Sequence, residues 1–226
     1  DGAESYASSE ICTELKRGIP VITHVDVVKT NPLNGKINIR WLKPEKEDTI
    51  AFPPPYHYEI FRSADLWGKQ LEFIKRIDNI NDTTYLDSNL NTILSPYSYK
   101  VEIHNEFERI EQPMIASSLF LEVNGADNQN VLTINQNVPW INEAFSIFYK
   151  HAELENFDSM TTVSDLSYVH QNLKNGDTVF YVVKSLGHYS ITTFPSPLIN
   201  RSQETFGVPV DTIPPVAPML NVESFC

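Results

Sequence analysis

The stretch Lys36-Ile37-Asn38-Ile39-Arg40-Trp41-Leu42-Lys43-Pro44, entered through the turn pair Asn34-Gly35, sets Ile37, Ile39 and Trp41 at every second position. A period of two lines one face of a pleated strand. These three residues therefore form a core face, with Trp41 as its bulkiest anchor. Pro44 ends the strand, since proline cannot donate to a ladder. On the N-terminal side, Val21 to Val28 alternates in the same way after Gly18-Ile19-Pro20. On the C-terminal side the acidic run from Glu45 reads as a loop through Pro53-Pro54-Pro55. Tyr56 to Arg62, Phe73 to Ile77, Thr84 to Leu86 and Tyr97 to Ile103 follow as further strands with turn residues between them. About seven short strands with no long amphipathic helix predict a β-sandwich.

The pattern then returns. Ala7-Ser8-Ser9-Glu10-Ile11-Cys12 reappears as Ala116-Ser117-Ser118-Leu119-Phe120-Leu121, and Phe194-Pro195-Ser196-Pro197-Leu198 leads into Val208-Pro209-Val210 much as the first copy leads into Ile19-Pro20-Val21. Self-similarity at about a hundred residues means separate folded beads, not a solenoid of ~20–50-residue repeats. In the second bead, Leu119 to Val123, Val131 to Ile134, Phe145 to Lys150 and Val179 to Lys184 repeat the plan. The expected organisation is a last strand of a preceding module (1–18), a sandwich (19–117), a second sandwich (118–209), and a linker with the start of a following module (210–226). The short join at Ser117-Ser118 predicts two beads stacked end to end.

The net charge is −12, without a Lys/Arg cluster. The counterion-release contribution that dominates nucleic-acid affinity is therefore missing, and anionic membrane surfaces repel the chain. No run approaches the roughly 18 apolar residues of a membrane span. Nucleic-acid binding and membrane insertion are not expected. Cys12 and Cys226 lie in the flanking stubs. Beads stacked end to end would hold them much farther apart than the roughly 4.4–6.8 Å between Cα atoms that a disulfide needs. Two readings stay open, pairing with cysteines of neighbouring modules or two free thiols.

Trp41 followed by Pro44, then Tyr58-Glu59-Ile60-Phe61-Arg62, then Leu90 ahead of Tyr97-Ser98-Tyr99-Lys100-Val101, resembles a fibronectin type III module, with the tyrosine corner at Tyr97. The wording of Asn137-Val138-Pro139-Trp140, of Tyr181-Val182-Val183-Lys184-Ser185 and of Val208 to Pro215 is similar to tandem modules of large secreted Bacteroidota proteins of the gliding-motility-associated, type IX secretion type. The resemblance implies all-β, tandem immunoglobulin-like (fibronectin type III) sandwiches, export through the type IX machinery and a place on the outer-membrane exterior. The second bead departs from the pattern: its tryptophan position falls on Gln136 and its corner position on Val179. Trp140 is the residue placed to refill that core. Asp-Ser/Thr triplets resembling the O-glycosylation sites of such proteins occur at Asp48-Thr49-Ile50, Asp82-Thr83-Thr84, Asp158-Ser159-Met160, Asp177-Thr178-Val179 and Asp211-Thr212-Ile213. Thr49 in the proline-rich loop, Ser159 between strands and Thr212 in the linker are expected to be accessible, with Thr83 a further candidate. Thr178, entering a central strand, is expected to be least so.

Catalytic chemistry finds no foothold. No G-x-S-x-G elbow exposes a serine, and no glycine-rich loop precedes a helix. The six histidines are scattered singly, with no pair at metal-helix spacing. His57 and His104 are placed to face each other across adjacent strands, as a pair on the solvated face. Glu45-Lys46-Glu47-Asp48 reads as a solvated loop, because calcium needs about six to eight oxygens in a defined turn. No catalytic residue, cofactor or metal is expected. Trp67 in the Ser63 to Gln70 loop is either an aromatic anchor or a lid over the sheet, the lid being favoured. With Phe52 and Tyr56 it is the candidate binding loop, which calls for a flat row of exposed aromatics. The expected function is a non-catalytic spacer and adhesive or interaction surface, whose partner is a protein or surface polysaccharide. The alternative is a pair of accessory modules of a secreted hydrolase, carbohydrate-binding in one version.

Overall fold

The computed structural model describes residues 18–44, 49, 52–107, 113–152 and 155–212. The stubs at both ends, with Cys12 and Cys226, lie outside these residues, as do Glu45 to Asp48. No helix among the described residues is long and apolar enough to cross a membrane.

In the first bead, β1 (Val21–Lys29), β2 (Gly35–Leu42) and β5 (Thr84–Leu90) form one antiparallel sheet in the order β1-β2-β5. β4 (Glu72–Ile77), β3 (His57–Ser63), β6 (Ser98–His104) and the short β7 (Ala116–Ser117) form the other, in the order β4-β3-β6-β7. The fourth strand pairs with β3 and not with β5, which is the fibronectin type III arrangement of three strands against four. Alternation drives it: Ile37, Ile39 and Trp41 face Tyr58, Ile60, Tyr99, Val101 and Ile103, all buried. The Trp41 ring stands edge-on to Tyr58, with centroids 5.3 Å apart. At the corner, the Asn91 N–H donates to the Tyr97 hydroxyl at 3.1 Å, just after the buried Leu90.

The second bead follows the same plan. β8 (Phe120–Ala126), β9 (Gln129–Asn135) and β12 (Ser167–His170) form a sheet in the order β12-β9-β8. β11 (Asp158–Val163), β10 (Ile141–Lys150), β13 (Val179–His188) and β14 (Leu198–Arg201) face it, with β15 (Thr205–Gly207) also on β13. Its core is Leu121, Leu132, Ile134, Phe145, Ile147, Val179, Tyr181 and Val183. Tyr181 takes the central place that Tyr99 has in the first bead. Ser159 lies within the edge strand β11, opposite Phe148, and not between strands. After β15 the chain stays on this bead: the Val210 N–H donates to Ala126 O at 3.2 Å, and a Cβ on Gly125 would sit 1.9 Å from the Val208 carbonyl oxygen.

The beads do not stand end to end. They lie against one another along β1, whose outer edge meets β14 and its flanks. The Val25 N–H donates to Asn200 Oδ1 at 2.8 Å, the Arg201 N–H to Asp26 Oδ1 at 2.8 Å and the Glu204 N–H to Thr30 Oγ1 at 2.8 Å. At the other end of the strand the Tyr189 hydroxyl donates to Ile22 O at 2.6 Å. Trp140, Tyr189 and Leu198 are buried in one continuous cluster with Ile19, Val21 and Ile22 of the first bead. Trp140 therefore does not refill the second core. Its ring packs on Tyr189 at 6.0 Å, and its indole N–H donates to Asn142 Oδ1 at 3.0 Å. An edge strand exposes unpaired backbone groups that need covering, and here the second bead covers them with side chains. The expectation that Cys12 and Cys226 are not joined falls on residues outside those described.

Candidate functional site

The register of β3 and β6 sets His57 directly opposite His104 and Glu59 directly opposite Glu102. Residues two apart on a strand share a face. All four therefore occupy one block on the outer face of the four-stranded sheet. The imidazoles stack, with centroids 5.5 Å apart and planes inclined by 26°. His57 Nε2 lies 3.6 Å from Glu59 Oε1, and His104 Nε2 lies 3.6 Å from Glu59 Oε2. His104 Nε2 is also 2.9 Å from Glu102 Oε2, while Lys100 Nζ holds the other Glu102 oxygen at 2.7 Å. Burial, then the positive charge of Arg76, hold the His57 imidazole below its ordinary pKa, with Glu59 acting in the opposite direction. The two histidines face each other as the strand pattern predicts. The carboxylates that complete the block belong to no sequence motif, because their proximity comes from register and not from spacing along the chain.

The Trp67 loop is built around Asp65. Its carboxylate accepts the Trp67 N–H at 2.6 Å, the Lys69 N–H at 3.2 Å and the Ser63 hydroxyl, and these hydrogen bonds hold its pKa below the usual carboxylate value against the opposing effect of desolvation. Gly68 has φ +67°, and a Cβ there would meet Ile115 at 2.8 Å. Asn137 Nδ2 donates to Leu66 O at 3.0 Å, which ties the loop to the second bead. On this stiff loop Trp67 is 59% exposed, so it is not a lid over the sheet. Nor does it join Phe52 and Tyr56. They precede β3 and Trp67 follows it, and a seven-residue strand at about 3.3 Å per residue spans about 20 Å. Tyr56 is partly buried against the first core, with its hydroxyl donating to Phe52 O. No flat row of these three aromatics is assembled.

Among the Asp-Ser/Thr triplets, Thr49, Ser159 and Thr212 are exposed, whereas Thr83 and Thr178 are half-buried. Thr83 also lends its carbonyl to the Trp41 N–H at 3.1 Å, beside an open depression lined by Arg76, Asp78 and Asp82. One polar group inside the first bead escaped the sequence reading. Asp87, buried on β5, accepts Arg62 Nη1 at 3.0 Å and the Tyr99 hydroxyl at 2.9 Å. Burial, then Asp87, push the Tyr99 phenol well above its ordinary pKa. The group links the two sheets.

No protein-family model matches the chain, and no curated protein matches it. Among solved structures it is similar to the chicken CNTN1 FN1-FN3 domains, with 14% sequence identity, 86% of this chain and 69% of that chain covered, and a TM-score of 0.32. At that level the strand order, and not the match, carries the fold.

Proposed function

We propose that the chain is a non-catalytic pair of fibronectin type III-like modules acting as a stiff spacer and interaction surface in an exported, cell-surface protein of the type IX secretion kind. The observation that carries the spacer reading is the buried seam along β1. It joins two sandwiches into one body, and in such architectures the sheets are scaffold and the loops carry recognition. The partner is a protein or surface polysaccharide, and export engages the type IX machinery. The exposed Thr49, Ser159 and Thr212 are the proposed O-glycosylation sites, with Thr83 behind them.

Intact mass of the protein from its native host, compared with the same chain from a host without the glycosylation pathway, tests the exported reading. Antibody labelling of unpermeabilised cells accompanies it. Added hexose-sized mass at these residues together with surface label supports the reading. Identical masses and no label overturn it. The alternative, accessory modules of a secreted hydrolase with a carbohydrate contact, draws on one observation, the exposed Trp67 on its Asp65-braced loop. A Trp67→Ala variant that retains affinity for surface polysaccharide removes that loop from the alternative.

A further inference from the structure

We propose that His57, Glu59 and His104 form a binding site for Zn²⁺ on the outer face of the first sandwich. Each offers one ligand atom, and these atoms lie within 4.8 Å of one another. Among the described residues no other group of histidine, cysteine or carboxylate side chains gathers so closely. The two imidazole-to-carboxylate separations are both 3.6 Å. Zinc bonds of about 2.0–2.1 Å at tetrahedral angles place neighbouring ligand atoms about 3.3 Å apart. The two contacts run to different Glu59 oxygens and the rings are stacked, so binding one ion requires the imidazoles to turn about their side-chain torsions until both ring planes contain it.

The chemistry of the donors selects the metal. Two imidazole nitrogens and one carboxylate suit a borderline transition ion, whereas Ca²⁺ and Mg²⁺ take oxygen-rich shells. Three protein ligands leave a fourth position for water, the open form of a zinc site. The frame is stiff, because the ligands stand on two hydrogen-bonded central strands in adjacent register positions. His57 is buried, with Glu59 and His104 partly so, which limits competition from solvent. The surrounding charge favours a cation. Glu59 and Glu102 supply two negative charges against Lys100, and the nearby Arg76 is engaged by Asp78 at 2.6 Å. Glu102 contacts the same His104 Nε2 at 2.9 Å, so an ion bound at that nitrogen displaces this contact and leaves Glu102 paired with Lys100. In the absence of metal the Glu59 carboxylate serves both imidazoles, and the ion replaces that shared contact with bonds that clip β3 to β6.

The test uses the 226-residue chain without an affinity tag, stripped with a chelator, and titrated with Zn²⁺ by calorimetry and thermal melting. The expected result is one bound ion per chain, a melting temperature that rises with Zn²⁺, and no rise with Ca²⁺. His104→Gln and Glu59→Gln should each weaken binding by at least ~100-fold, the upper end of what losing even an outer partner costs. His170→Gln, remote from the block, should bind as the native chain does. Cobalt substitution adds a readout independent of stability, since tetrahedral Co²⁺ bound through His57 and His104 absorbs in the visible and the variants abolish the bands. Metal-free melting curves check that each variant folds. Absence of saturable Zn²⁺ binding, or binding that survives both His104→Gln and Glu59→Gln, overturns the proposal.

Discussion

Replacing Trp140 by alanine should destabilise the first bead, although Trp140 belongs to the second. Trp140 is 6% exposed, packs on Tyr189 at 6.0 Å and shares a buried cluster with Ile19, Val21 and Ile22. Truncating a buried tryptophan costs about 3–5 kcal/mol, combining lost transfer energy with the cavity left behind. A cooperative unit of this size loses stability in urea at about 2–3 kcal/mol per molar. The midpoint should therefore fall by about 1–2.5 M urea. The chain has three tryptophans, so the Trp140→Ala variant retains Trp41 in the first core as a reporter, with exposed Trp67 contributing a signal that changes little. Urea titration followed by tryptophan fluorescence and by far-ultraviolet circular dichroism is the assay. If the seam couples the beads, the Trp41 transition moves together with the dichroism. A Trp41 transition that stays in place while the dichroism splits into two steps refutes the coupling and returns the beads to independence.

Trp41→Ala should cost about 3–5 kcal/mol by chemical denaturation, while Trp41→Phe should cost much less, because the Trp41 indole N–H makes no hydrogen bond within the described residues. Equal losses for the two variants would show that the indole N–H has a partner after all. Acidification should also destabilise the pair. His24 and His170 are held below the ordinary imidazole pKa of 6.5, in both cases by burial first, helped by Arg40 at His24 against an opposing Asp26, and by His151 at His170. With folded pKa values below unfolded ones, the unfolded chain takes up protons first, so stability is complete above about 6.5 and falls as pH drops toward the folded values. Melting temperatures between pH ~7.5 and ~5.5 should decline, and decline less in a His24→Gln, His170→Gln double variant; a native chain flat over this window contradicts the shifts.

The strands that build the cores were readable because burial enforces alternation, as at Ile37, Ile39 and Trp41 or at Tyr99, Val101 and Ile103. The edge strands β11 and β12 were not. Asp158–Val163 and Ser167–His170 bury no complete side chain, and their largely polar sequence shows no apolar alternation, so Ser159 reads from the sequence as a residue between strands. The seam was equally hidden. Asn200, Tyr189 and Trp140 are residue types that suit a surface, an ordinary strand end and a core in turn, and only the folded chain gives them a shared partner in β1. At the outer face, the opposition of His57 and His104 followed from counting strands. Adding Glu59 and Glu102 required the register itself, because a search along the chain for ligand spacing misses groups joined across a ladder.

The bond from the Val25 amide to Asn200 spans 175 residues of sequence. During synthesis the first sandwich can assemble its two sheets early, yet one border of β1 stays open until Asn200 and Arg201 arrive. Long-range closures of this kind form late, because the intervening chain must be gathered first. The interval is one in which the open outer edge of β1 can recruit a strand from another molecule. The second bead thus acts on the first as an internal chaperone, and a chain truncated before β14 should be the form most prone to aggregate.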